Sequence, residues 1–235
     1  IEKVYTKEFL DSPRESPWGT TQRDQKMGLE FNHDQYLEIS DYCKKKNIDW
    51  SASAWDVDAQ LFLRKFPIAF NKVASAMLGH KPLLKEIASE KKKTFISTGM
   101  ATLDEIDDVV NLFNKASCPF ELMHCNSTYP MRDEDANLLC IPMLRNRYDL
   151  NVGYSGHEFG LVTTFGAVAM GATWIERHIT LNREMWGSDQ LSSVEPVGLF
   201  KLVKGIRDLE KATRIEIGPR VLFEGELKKK ISLRG

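Results

Sequence analysis

The sequence predicts an α/β fold whose parallel strands close into a barrel. Strand-like and helix-like segments alternate six times between Asp49 and Ala212, and almost every predicted strand ends in polar side chains. Such alternation builds parallel βαβ units. The polar ends are Ser53, Lys72 with Ser75, Ser97 with Thr98, Ser127 with Tyr129, Ser155 with His157, and Glu176 with His178. A barrel gathers its strand ends around one mouth, where these groups converge on one ligand, whereas an open doubly wound sheet would scatter them. The length of 235 residues suits a single α/β barrel domain. Six units are two short of a (β/α)8 TIM barrel, so the first two βα units are expected upstream of Ile1 or absent.

Residues 1–30 mix charges with Pro13, Pro17 and Gly19 without a sustained period and read as a long loop. Asn32 and Gln35 can form a capping box for a helix running to about Lys46. DWSASAW (49–55) reads as a strand, followed by a helix over Val57 to Lys65 capped by Asp56. FNKVAS (70–75) precedes a helix near Pro82 to Lys91, and KTFISTG (93–99) precedes one from Leu103 to Lys115. Thr102 and Glu105 cap the latter, and Ile106, Val109, Val110 and Phe113 form its buried stripe. FELMHCNSTYP (120–130) leads to a helix over 133–146 that Pro142 kinks or splits. NVGYSGH (151–157) and WIERHITL (174–181) flank a small-residue helix and supply the last two strands. A final helix starts at Pro196 and runs to about Ala212 on Leu199, Leu202, Val203, Ile206 and Leu209. The barrel units thus occupy 31–215, and 216–235 reads as a linker.

A net charge of −1 leaves no electrostatic footprint for nucleic acid. The triplets Lys44–Lys46, Lys91–Lys93 and Lys228–Lys230 read as solvated helix ends or tail. No apolar run approaches the roughly 18 residues of a membrane helix, and residues 1–10 lack a signal-peptide core. Cys43, Cys118, Cys125 and Cys140 show no CxxC pairing. They read as reduced core thiols of a soluble, cytoplasmic protein rather than as disulfides.

The chemistry concentrates between Gly153 and Pro196. Strand alternation in WIERHITL points Glu176 and His178 to one face, and an ionisable pair inside a parallel sheet is costly without a ligand, metal or partner. His157 ends the neighbouring strand, so the two imidazoles can face one ion. A lone histidine is more often a satisfied core or surface residue, but here Glu176 and Asp189 share the geometry. Two histidines with oxygen ligands suit Mn, Zn, Fe or Co, and the residues alone do not choose among them. Ser53, Ser75, Ser97, Ser127 and Ser155 with Lys72 form an anion cradle. The charge of Lys72 has no other obvious partner. Glu176 is the candidate proton carrier or water-orienting base, and Asp189 lies on the loop after the sixth strand. A phosphate-bearing compound and a carbonyl or polyol are the implied substrates.

FNKVAS (70–75), STGMATLDEI (97–106), HCNSTYP (124–130), GYSGHE (153–158), IERHITL (175–181), GSDQ (187–190) and SVEP (193–196), in this order and spacing, resemble the sialic acid synthase family. That family comprises N-acetylneuraminate synthases and related nonulosonate synthases. LEFNHDQY (29–36) is similar to the segment before the family's third-strand helix. The resemblance implies a (β/α)8 barrel that condenses phosphoenolpyruvate with N-acetylmannosamine, its 6-phosphate or a related acylated hexose, releasing phosphate. It implies that His157 and His178 ligate a divalent metal, Mn or Mg. Lys72, Ser75, Ser97, Ser127 and Ser155, helped by Ser53, would hold phosphoenolpyruvate, Tyr129 and Asp189 would contact the sugar, and Glu176 would handle the water attacking C2. Gln190 stands where many members carry a histidine. The resemblance also implies two earlier strands bearing an acidic residue and a glutamine. Beyond the linker it implies an antifreeze-like domain that lends an arginine across a swapped homodimer. Two rival readings use the same fold. A metal-dependent aldolase or sugar-phosphate epimerase would free no phosphate, and a non-catalytic barrel scaffold would have no reason to keep both histidines, Glu176 and Lys72.

Overall fold

The computed structural model describes residues 1–213 and 223–234. Residues 1–30 are not a loop. They form α1 (Lys7–Leu10), an antiparallel hairpin of β1 (Pro13–Ser16) and β2 (Gly19–Thr21), and α2 (Gln22–Leu29). The local signal for α2 is a capping box between Thr21 and Asp24. The hairpin strands are too short to display a period.

Next come α3 (His33–Lys46), capped by Asn32 and Gln35, and α4 (Val57–Leu63), capped by Asp56, both as predicted. The strand predicted over 49–55 shrinks to one parallel bridge, Ser53 to Lys72. Then follow β3 (Asn71–Val73), α5 (Lys81–Ser89), β4 (Thr94–Ser97), α6 (Leu103–Lys115) and β5 (Phe120–His124). α7 (Cys140–Tyr148), β6 (Val152–Gly156), α8 (Val162–Ala169), β7 (Ile175–Arg177), α9 (Pro196–Ala212) and α10 (Glu224–Arg234) complete the described elements. The helix predicted over 133–146 is split, with a 3-10 turn at Asp133–Asp135 before α7. Pro142 sits in the first turn of α7, where a backbone N–H has no intrahelical acceptor to lose. The linker expected over 216–235 lies partly outside the described residues, and its described part, α10, is helix.

One parallel sheet runs in the order β3-β4-β5-β6-β7. A flat sheet of this order would hold β3 and β7 four strand spacings apart, roughly 19 Å. Instead Lys72 of β3 reaches to 3.3 Å from Glu176 of β7. Beneath them Phe95 of β4 packs on Trp174, next to β7, with ring centroids 4.8 Å apart. The sheet is therefore curled like part of a barrel, and its edges meet across the interior.

Between sheet and helices the core is continuous. Ile96, Leu122 and Val152 of the strands are fully buried against Leu83, Leu84 and Ile87 of α5 and the predicted stripe of α6. Of the α9 stripe only Leu202 is buried, because α9 lies on α8 rather than on the sheet. Cys118 and Cys125 are buried free thiols, whereas Cys43 and Cys140 are only half-buried. Lys93 is no solvated end, since it pairs with the buried Glu121. Lys228–Lys230 lie within α10 rather than in a tail. Among the described residues no helix is long and apolar enough to cross a membrane.

Candidate active site

All eleven residues singled out in the sequence line one cavity of about 480 Å³: Ser53, Lys72, Ser75, Ser97, Ser127, Tyr129, Ser155, His157, Glu176, His178 and Asp189. The curl brings them together: Lys72, Ser97, Ser155 and Glu176 lie on β3, β4, β6 and β7, Ser53 bridges to Lys72, and Ser75, Ser127, Tyr129, His157, His178 and Asp189 lie on the segments that follow the strands. Trp55 and Met100 complete the apolar part of the wall.

One side of the cavity gathers serine hydroxyls around one ammonium. Lys72 Nζ donates to Ser97 Oγ at 2.6 Å. Its charge does have a protein partner, contrary to the sequence expectation, in Glu176 Oε2 at 3.3 Å. The reason is tertiary, because only the curl makes opposite edges of the sheet neighbours. Ser75 Oγ lies 3.1 Å from Cys125 Sγ. Ser127 Oγ is shut from solvent and has no hydrogen-bond partner. Gly99 makes this clustering possible: a Cβ there would fall 2.2 Å from Ser127 Oγ and 2.8 Å from both Cys125 Sγ and Ser75 Oγ. Ser155 on β6 is in register with Glu176 on β7.

The other side carries the imidazoles. His157 Nδ1 lies 2.5 Å from the Asn126 carbonyl. A carbonyl only accepts, so Nδ1 carries the proton and the Nε2 lone pair is left for a ligand. The rings of His157 and His178 have centroids 5.3 Å apart, and Tyr129 packs on both, at 4.2 and 5.5 Å. His178 Nδ1 is 3.8 Å from Asp189 Oδ2. Burial pulls the pKa of His157 below the ordinary histidine value, and the neighbouring His178 acts in the same direction. The neutral ring is thereby favoured. Burial also pushes the Tyr129 hydroxyl up to about 12, helped by Cys125, Asp189 and Glu176, so it stays a neutral hydrogen-bond donor.

Glu176 is placed against Lys72. Its side chain is 43% exposed, yet Oε2, the oxygen facing Lys72, is enclosed and accepts no well-formed hydrogen bond. Among the described residues no group of three or more His, Cys, Asp or Glu is arranged to hold a metal ion. The donors fit an open site of two imidazoles, with the remaining positions left to water and substrate oxygens.

Sequence reasoning missed the groups behind the histidines. Glu158 and Arg177, each adjacent in sequence to a site histidine, form an ion pair with side chains 1% and 2% exposed. Alternation held the signal, because Arg177 must point away from the face of Glu176, into a layer that a parallel sheet buries under helices.

The family model described as NeuB matches residues 2–217. The chain is 37% identical over 215 residues to the N-acetylneuraminate-9-phosphate synthase of Mus musculus, covering 90% of this chain and 60% of the relative. It is 35% identical over 187 residues to the N,N'-diacetyllegionaminic acid synthase of Campylobacter jejuni, covering 78% of this chain and 56% of the relative. The solved N-acetylneuraminic acid (sialic acid) synthetase of Leptospira borgpetersenii, in complex with citrate, superposes with a TM-score of 0.79 at 34% identity, over 87% of this chain and 72% of that one. The chain spans about 60% of the length of the curated relatives it matches.

Proposed function

Because the chain belongs to the NeuB family, we propose that the complete protein condenses phosphoenolpyruvate with N-acetylmannosamine, its 6-phosphate or a related acylated hexose, giving a nonulosonate and inorganic phosphate. The observation that carries this reading is a pair of enclosed oxygens, Ser127 Oγ and Glu176 Oε2, that make no hydrogen bond, in the cavity that also holds Lys72, whose ammonium is the ion partner of Glu176. Buried polar atoms of native proteins are normally satisfied, and a bound phosphate and its attacking water would satisfy both.

In this reading Lys72, Ser75, Ser97, Ser127 and Ser155 grip phosphoenolpyruvate, with Ser53 beside them, while Tyr129 and Asp189 orient the sugar. Glu176 takes a proton from the water that adds to C2 as C3 bonds to the aldehyde carbon, whose oxygen gains a proton. The resulting C2 centre carries both hydroxyl and phosphate, and it collapses by expelling phosphate. A divalent ion, Mn or Mg, held by His157 and His178 would supply Lewis-acid polarisation of the aldehyde. On the same reading the curled sheet is part of a (β/α)8 barrel, and the working unit is a homodimer in the cytoplasm.

Incubation of the complete gene product with Mn, phosphoenolpyruvate and each of the three acceptors in turn should, with the one it accepts, release one phosphate for each phosphoenolpyruvate consumed. Turnover of the sugar without phosphate release would overturn the reading in favour of an aldolase or epimerase. A more local expectation concerns Lys72→Ala, which removes the cradle's ammonium. A charged hydrogen bond is worth about 1.5–3 kcal/mol, so the KM for phosphoenolpyruvate should rise roughly tenfold to a hundredfold. The KM for the sugar should stay close to wild type. An unchanged KM for phosphoenolpyruvate would remove Lys72 from the cradle.

A further inference from the structure

We propose that Arg177 is a positioning residue, one buried guanidinium that, paired with Glu158, clamps the segments carrying His157, His178 and Asp189 and so sets how the two imidazoles face a shared cation. The proposal rests on the metal-site reading above. Glu158 directly follows His157, and Arg177 directly precedes His178. Arg177 Nη1 meets Glu158 Oε1 at 2.9 Å. The same Nη1 donates to the Gly160 carbonyl and to Thr164 Oγ1, each at 2.9 Å. Nη2 donates to the Glu158 carbonyl at 2.7 Å and to the Ser192 carbonyl at 3.4 Å. Only Nε lacks an acceptor. A single planar group therefore ties together the loop after β6, the first turn of α8 and the turn before α9. That turn is joined to the third site residue, since Ser193 Oγ donates to the Asp189 carbonyl at 2.8 Å.

Glu158 is fixed in its turn: Tyr154 donates its hydroxyl to Oε2 at 3.0 Å, and Thr164 donates to Oε1. The strand leaves room for the pair at Gly156, where a Cβ would fall 2.5 Å from Glu158 Oε2 and 2.9 Å from Arg177 Cδ. Desolvating two charges cancels much of what their attraction returns, so stability is a weak account of such a pair. The geometry that it enforces is the better one. Lysine cannot replace it, because an ammonium is a point charge without the guanidinium's rigid fork.

The test compares Arg177→Lys with the double variant Glu158→Gln/Arg177→Met, which leaves no unpaired buried charge if the single variant fails to fold. Three quantities are read on the purified protein: affinity for Mn alone by calorimetry or electron paramagnetic resonance, the thermal midpoint, and the 15N ring spectra of His157 and His178 without metal. Mn affinity should fall about tenfold or more, on the scale known for outer residues that orient metal ligands. The His157 ring should also leave its single Nδ1–H tautomer. Wild-type Mn affinity and ring spectra in a folded variant, with only the thermal midpoint lowered, would overturn the proposal and make the pair a structural brace. If the unaltered protein binds no Mn, the metal-site reading fails instead, and the ring spectra alone decide whether the clamp orients the imidazoles.

Discussion

Replacing His157 or His178 by alanine should abolish metal-dependent turnover while leaving the fold in place. Among the described residues the two imidazoles have no third His, Cys, Asp or Glu arranged to share an ion with them, so either change removes one of the proposed site's two imidazole donors. The loss should therefore exceed the 10–100-fold that typically follows removal of an outer partner of a metal ligand. The fold should survive because both rings face a cavity open to water, which can fill the space that alanine leaves. For His157 the change also frees the Asn126 carbonyl, which water in the same cavity can satisfy. Circular dichroism and Mn binding, measured beside phosphate release, separate the effects. Wild-type turnover in either variant, with metal strictly controlled, would remove the metal assignment.

The parts of the fold legible in the sequence are those set within a few residues. The capping boxes of α3 and α6 each span four positions, and the sequence predicts both to the residue. The buried stripe of α6 follows from a 3.6-residue period. Strand pairing is not local in this sense. The segment 49–55 has the composition of a strand, yet whether it pairs depends on distant neighbours, and only Ser53 does. The site was legible as a list of residues because strand ends of a parallel fold face one way. Its internal wiring was not, since Lys72 meets Glu176 only through the curl that joins β3 to β7. Alternation marks Arg177 as buried, but its pairing with Glu158 is hidden, because two charges nineteen positions apart in sequence announce no contact.

Glu176→Gln should separate binding from chemistry. The substitution keeps the shape of the side chain and its capacity to hydrogen-bond. The Lys72–Ser97 hydrogen bond, proposed to grip the anion, does not depend on it. Michaelis constants for both substrates should therefore stay within a few-fold of wild type, while kcat falls about 100-fold or more, the scale of losing a general base. The alternative is that Glu176 is a third metal ligand. In that case the variant should chiefly lose metal affinity, and excess Mn should restore much of the rate. The geometry favours the base. Glu176 Oε2 is turned toward the ammonium of the anion cradle at 3.3 Å, and it does not join the two histidines in a set able to hold an ion. On the proposed reading a carboxylate held there would stand beside the phosphate-bearing carbon, where the attacking water must lose its proton. Titrating Mn against the purified variant decides the matter, because recovery of the rate with metal would move Glu176 from the water to the ion.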